Sequence, residues 1–206
     1  MNGSELRLEL EAANLEAARA AVGCVPLHAG AIDTVAGVIA LAGQSGSGKS
    51  TLTAAAVLAG HGYVADEITA VCPGDMSVKP FHRPIGLRRG GAEAIGIPYP
   101  ESADGRYDSV YPWAIDGHGV HSFGGTLVGI VIVDRLGDGG PLLTDVDDPK
   151  ALVELCQHTV IPDDQLGAAF GQLDVIVRAV PVVRMTYRTT EESLGLIAQI
   201  VARWSV

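Results

Sequence analysis

The chain has 206 residues, 48% of them hydrophobic, and a formal net charge of −10 with only three lysines. That length and apolar content fit a single α/β domain over residues 1–206 with an ample core. The acidic balance excludes a cationic face for nucleic acid or membrane headgroups. The longest apolar runs, Val38 to Ala42 and Leu127 to Val133, have strand length and are too short to span a bilayer. Glu5, Glu9 and Glu11 interrupt any signal-like run at the start. Cys24, Cys72 and Cys156 lie far apart and form no C-x-x-C, which predicts reduced, packed thiols and a cytoplasmic protein.

In chain order, Leu6 to Leu10 alternates as a short strand and the alanine-rich Asn14 to Val22 reads as a helix. Pro26 to Ile32 and Val35 to Leu41 are two strands joined by a tight turn at Asp33-Thr34. Thr51 to Ala59 carries no breaker before Gly60 and reads as a helix. Tyr63 to Ala65 is a strand ending at Asp66-Glu67, and Ile68 to Val71 continues extended. From Pro73 to Phe123 the chain is rich in Pro, Gly and Tyr with few periodic segments. A connection of that length reads in part as a substrate-facing loop. Leu127 to Val133 is a buried strand ending at Asp134. Asp148 caps a helix with Pro149 at its first position. Val175 to Val180 and Val182 to Tyr187 read as strands. Thr189 to Glu192 is a capping box opening a final helix, with Leu194, Ile197, Ala198 and Val201 on one face.

One stretch carries more chemistry than the rest. Gly43-Gln44-Ser45-Gly46-Ser47-Gly48-Lys49-Ser50-Thr51 fills every fixed position of the phosphate-binding loop G-x-x-x-x-G-K-[ST]. Glycines let consecutive backbone N–H groups turn inward toward phosphate oxygens. Lys49 is placed to reach the β- and γ-phosphates, and the Ser50 hydroxyl to ligate Mg²⁺. The strand before and the helix after supply the expected context, with the positive helix end facing the anion. ATP and Mg²⁺ are the ligands this pattern calls for. No N-K-x-D segment reads guanine, and no L-S-G-G-Q segment marks a transporter ATPase.

A carboxylate at the end of a neighbouring strand completes such a site. Two candidates stand level on position alone: Asp134, closing Leu127 to Val133, and Asp66-Glu67, seventeen residues after Lys49. Asp66 reads either as a proton acceptor or as a turn residue. His28 reads as a core histidine or a partner of that aspartate, and Glu67 as an Mg²⁺-water ligand or a solvated charge. His118 and His121 offer two imidazoles without a third ligand at metal-site spacing.

Leu27-His28-Ala29-Gly30-Ala31, the strand, Gly43 to Thr51, the helix and Gly62 to Glu67 together resemble the catalytic domain of the HPr kinase/phosphorylase family. The similarity is greatest to its short relatives, the HPr-kinase-like proteins of peptide-tailoring and other specialised operons. It is dense from Leu27 to Arg83-Pro84 and looser through Val128 to Thr159 and Ala179 to Ile200. The resemblance implies a phosphate-loop kinase domain of the HPr kinase/PEP carboxykinase-like type, a strand-rich mixed sheet flanked by helices. It implies Asp66 as catalytic acid/base, His28 beside it, and Arg83 of the Arg-Pro pair near the transferring group. Glu67 stands where the bacterial HPr enzymes have a second aspartate, and Ser50-Thr51 where they commonly have Ser-Glu. Gly90 to Ile97 only faintly echoes their glycine-rich segment, which bears on HPr as substrate and on the reverse phosphorylase reaction.

The expected activity is transfer of the γ-phosphoryl group of ATP to a hydroxyl, a serine or threonine of a peptide or protein, or a small alcohol. Two alternatives stand beside it: a kinase for a small metabolite, and a nucleotide-binding regulatory module with little turnover. The resemblance permits homo-oligomers.

Overall fold

The computed structural model describes residues 23–99, 111–113, 119–135, 140–160 and 166–205. The strand expected at Leu6 to Leu10, the helix expected at Asn14 to Val22, and His118 lie outside these residues.

The sheet is organised around β3 (Gly37–Ala42), whose side chains from Val38 onward are all buried. An apolar strand with no alternation needs cover on both faces, and both faces are covered. On one side of β3 lies β2 (Ala29–Thr34), antiparallel, and beyond it β4 (Gly62–Ala65), antiparallel to β2 and so running with β3. On the other side lies β10 (Gly125–Asp134), parallel to β3, followed by β12 (Val182–Thr186), parallel to β10. The C-terminal ends of β3, β4, β10 and β12 therefore gather along one rim. β1 (Val25–Leu27), β5 (Thr69–Cys72) and β6 (Ser77–Lys79) form an antiparallel extension that rejoins β10 at Gly125 and Thr126. β11 (Leu142–Asp145) pairs with β12, and β9 (Val120–His121) runs parallel to β4. A separate ladder joins β7 (Ile85–Leu87) to β8 (Tyr111–Trp113).

Alternation along β3 divides the core in two. Val38, Ala40 and Ala42 pack with Ala151 and Leu155 of α3 (Asp148–Cys156) and Leu173, Ile176 and Val177 of α4 (Leu166–Ala179). Ile39 and Leu41 pack with Leu52 of α1 (Lys49–Leu58) and Leu196, Ile197 and Ile200 of α5 (Thr190–Trp204). Each large aliphatic side chain buried this way contributes about 1.5–3 kcal/mol relative to exposure. A short helix, α2 (Arg89–Ala94), rests on α1, where Gly91 lies against the Thr51 side chain.

Several expectations from sequence are corrected. The strand expected at Val175 to Val180 is instead the end of a helix that runs to Ala179: Leu173, Ile176, Val177 and Val180 are buried at helical spacing while Val175 is exposed. The first hairpin turns at Val35-Ala36 rather than Asp33-Thr34, because Thr34 Oγ1 donates to Gly37 O at 2.8 Å and accepts from Ala36 N at 3.2 Å. The cap of α3 is Asp147, whose side chain accepts from Lys150 N, so Pro149 is the second helical residue. The capping box at Thr189 and Glu192 is present, but the buried face of α5 is Ser193, Leu196, Ile197 and Ile200, with Ala198 exposed. The stretch from Pro73 to Phe123 holds β6 to β9 and α2.

Cys24 and Cys72 form a disulfide, which overturns the expectation of reduced thiols and removes the support it gave to a cytoplasmic location. They occupy the position next to the Val25↔Val71 pair of the β1–β5 ladder, with Cα atoms 3.9 Å apart. Cys156 is a free thiol. Among the described residues no helix is long and apolar enough to cross a membrane.

Candidate functional site

The segment Gly43 to Thr51, which the sequence motif marks as a candidate phosphate loop, leaves the end of β3 and enters α1 at Lys49. Gly43, Gly46 and Gly48 all have positive φ. Gly48, at φ 96°, takes the left-handed conformation just before the helix, and a Cβ there would lie 2.8 Å from the Tyr187 hydroxyl. Both backbone and space therefore call for glycine. Lys49 is buried, and its Nζ donates to Gly43 O at 2.7 Å and Gln44 O at 3.0 Å. Two of the ammonium's three donors are thus engaged among the described residues, and the third remains for an anion within the loop. Burial pulls the Lys49 ammonium below the ordinary lysine value, opposed by the charges of Glu67 and Asp66.

Asp66 follows β4 on the same rim and is 1% exposed. Its Oδ2 accepts from Gly86 N of β7 at 3.3 Å, and the Ser50 hydroxyl hydrogen-bonds to the carboxylate. Burial, and then the Glu67 charge, push the Asp66 carboxyl up to about 6; the Gly86 and Ser50 bonds and Arg83 oppose this. Glu67 has φ 72°, an uncommon conformation for a residue with a side chain. Such strain persists where the surroundings enforce it; here Glu67 Oε2 sits 3.1 Å from His28 Nε2. The bond from His28 holds the Glu67 carboxyl below its ordinary value. His28 occupies the gap between β1 and β2, its N–H donating to His158 O at 2.6 Å. Arg83, half-buried, accepts on its carbonyl from the buried Tyr63 hydroxyl at 2.7 Å, and its charge acts on both Asp66 and Glu67.

The two carboxylate candidates are thereby separated in space. Asp134 ends β10, on the opposite side of β3 from β4. Ser50 bonds to Asp66, and the acidic charges acting on Lys49 are those of Glu67 and Asp66. The structure brings His28, Lys49, Ser50, Asp66, Glu67 and Arg83 into one site.

Three further side chains at the site have no local sequence signal. His158, after α3, is buried, and burial followed by the Lys49 and His28 charges lowers its pKa. Tyr187, buried behind Gly48, has its hydroxyl pushed up to about 12 by burial. Thr53, one turn beyond Lys49, is fully buried, and its hydroxyl has no partner among the described residues. The His121 ring lies tilted against His82, 4.5 Å between ring centroids, and no cluster of three or more metal-ligating side chains occurs among the described residues.

The residues present suit a polyphosphate with its magnesium ion. Ser47 Oγ, inside the loop, is a buried polar atom without a partner among the described residues, and such atoms are exceptional unless something else satisfies them. Lys49 supplies a cation, Ser50 a hard oxygen donor, and the start of α1 its N–H groups.

No protein-family model matches the chain, and no curated protein does. Among solved structures it is similar to the Hpr(Ser) kinase/phosphatase from Coxiella burnetii, at 12% identity over 86% of this chain and 88% of that one, with a TM-score of 0.41. At that score and identity the likeness carries no argument, and the chain's own residues must carry the functional reading.

Proposed function

We propose that this protein is an ATP-dependent kinase that transfers the γ-phosphoryl group to a hydroxyl, a serine or threonine of a peptide or protein being the favoured acceptor. The observation that carries this reading is Asp66: a buried carboxylate, bonded to Ser50 of the phosphate loop and held up to about 6. A loop that only bound nucleotide would have no use for a proton acceptor at that place. An alcohol is a poor nucleophile near neutral pH, and a general base within hydrogen-bond reach removes its proton as the phosphoryl group moves.

In this reading the loop N–H groups and Lys49 bind the phosphates, and Ser50 would hold Mg²⁺, which would supply charge neutralisation to them. Asp66 takes the acceptor's proton, and its pKa near 6 leaves it ionised yet basic at neutral pH. His28 and Glu67 form a paired wall beside it, and the Arg83 guanidinium balances charge on the transferring group.

The test is single-turnover transfer from γ-labelled ATP to serine- and threonine-containing peptide libraries and to small alcohols, by wild type, Lys49→Ala and Asp66→Asn. Labelled product from wild type alone supports the reading. Equal labelling by Asp66→Asn removes it.

A further inference from the structure

Thr53 lies outside the phosphate loop and has no place in the motif that identifies it. Its side chain sits on the face of α1 that meets β2, fully buried. A threonine within a helix ordinarily donates back to the carbonyl one turn earlier. The Thr53 hydroxyl makes no such bond, nor any other among the described residues. Across from it, Asp66 Oδ1 is equally buried and equally unpaired.

The residue between them is Gly30. A Cβ there would lie 2.4 Å from Thr53 Oγ1 and 3.7 Å from Asp66 Oδ1, so the two orphaned oxygens border one small space over the β2 backbone. Neither oxygen bonds the other directly, so a link between them runs through a water placed in that space. The only other side-chain polar atoms that are buried and unpaired among the described residues, Ser47 Oγ, Ser77 Oγ and Trp204 Nε1, are not among the neighbours of that space. A hydroxyl offers a proton and a carboxylate oxygen needs one, and leaving both unpaired in a dry interior is costly.

Resting on the reading of Asp66 as general base, we infer that Thr53 is its positioning residue: the Thr53 hydroxyl donates to Asp66 Oδ1 through one bridging water, across the notch left by Gly30. Oδ1 is then anchored toward the core. Oδ2, on the side of Gly86 and Ser50, is aimed at the acceptor hydroxyl and takes its proton. Two oxygens on one carboxylate thus have separate tasks, one structural and one chemical. A side chain at position 30 would push the hydroxyl out of the notch, so Gly30 belongs to the same device.

The experiment has a readout free of chemistry and one that follows it. Thr53→Val, which keeps shape and loses the hydroxyl, is combined with Asp66→Ala in a double-mutant cycle of nucleotide-free denaturation at pH 7.5. The expected result is a clear coupling: Thr53→Val lowers the midpoint when Asp66 is present and much less when it is absent. In single-turnover transfer, Thr53→Val lowers kcat about tenfold with the KM for ATP unchanged, and Thr53→Ser restores the rate. Additive denaturation midpoints overturn the inference. So does a Thr53→Ser protein as slow as Thr53→Val, which would mark a packing role, or a Thr53→Val protein at full rate while Asp66→Asn is dead. A fully active Asp66→Asn protein sinks the base reading instead, and the coupling would still support the bond.

Discussion

Replacing Asp66 by asparagine separates what the carboxylate costs the fold from what it does in the site. Asp66 is 1% exposed and its pKa is raised from 3.8 to about 6, chiefly by burial and then by Glu67. The native state therefore holds the Asp66 proton more tightly than the unfolded chain, and this group's contribution to stability falls as pH rises from about 4 to about 6. At ~1.4 kcal/mol for each pH unit, the gap comes to about 3 kcal/mol of destabilisation at neutral pH. Asparagine removes the charge and keeps the shape. The Asp66→Asn protein should thus gain about 1–3 kcal/mol at pH 7.5, a rise of about 3–10 °C in midpoint for a chain of this size. By pH 4 most of that gain should be gone, because wild type is then protonated in the native state. Denaturant melts of both proteins without nucleotide, at pH 4 and 7.5, measure this. Single-turnover transfer on the same samples should fall about 10²–10⁴-fold. An Asp66→Asn protein less stable than wild type at pH 7.5, or equally shifted at both pH values, would refute the reasoning from burial.

The remaining expectations concern the rest of the site. Lys49→Ala should abolish transfer and weaken Mg²⁺-ATP binding in calorimetric titration, since it removes the loop's one ammonium; equal affinity in both proteins would empty the site of its meaning. Ser50→Ala should raise the Mg²⁺ concentration needed for turnover more than it alters metal-free nucleotide binding, and an unchanged Mg²⁺ dependence would show the ion is placed wrongly. His28→Ala should slow transfer less than Asp66→Asn does, and Asp134→Asn should stay near wild type; the reverse ranking in parallel single-turnover assays would return the carboxylate role to β10. With Asp66 required as the anion, kcat/KM should fall as pH drops through about 6, and a profile flat to pH 5 would count against it.

Much of the site was legible because its parts are local. A loop motif needs only consecutive residues, and Asp66 stands at the end of a strand whose bounds the apolar run Tyr63-Val64-Ala65 sets within a residue. The placement of Asp66 and Asp134 on opposite sides of β3, one after β4 beyond β2 and the other ending the adjacent β10, was not legible, because it is a matter of sheet order. His158 and Thr53 were hidden for the same reason: one reaches the site through a backbone contact 130 residues away in sequence, the other through the notch at Gly30. Val175 to Val180 misled because β-branched residues predict strand by composition, while the buried positions follow helical spacing. The cysteines misled because spacing says nothing of partners that meet only when β1 pairs with β5.

The Cys24–Cys72 bond closes a covalent ring with a sequence separation of 48 residues. His28, the whole phosphate loop, Asp66 and Glu67 all fall within that ring, so the site's principal groups belong to a single macrocycle. A closed loop of that length limits the unfolded chain's freedom by about 4 kcal/mol in the chain-entropy model. Topology adds a second consequence. One proteolytic cut in the ring, as at the exposed Val35 in the first hairpin turn, would open the macrocycle without releasing a fragment. The pieces bearing His28 and Asp66 would remain tethered, and only reduction as well as cleavage would part them.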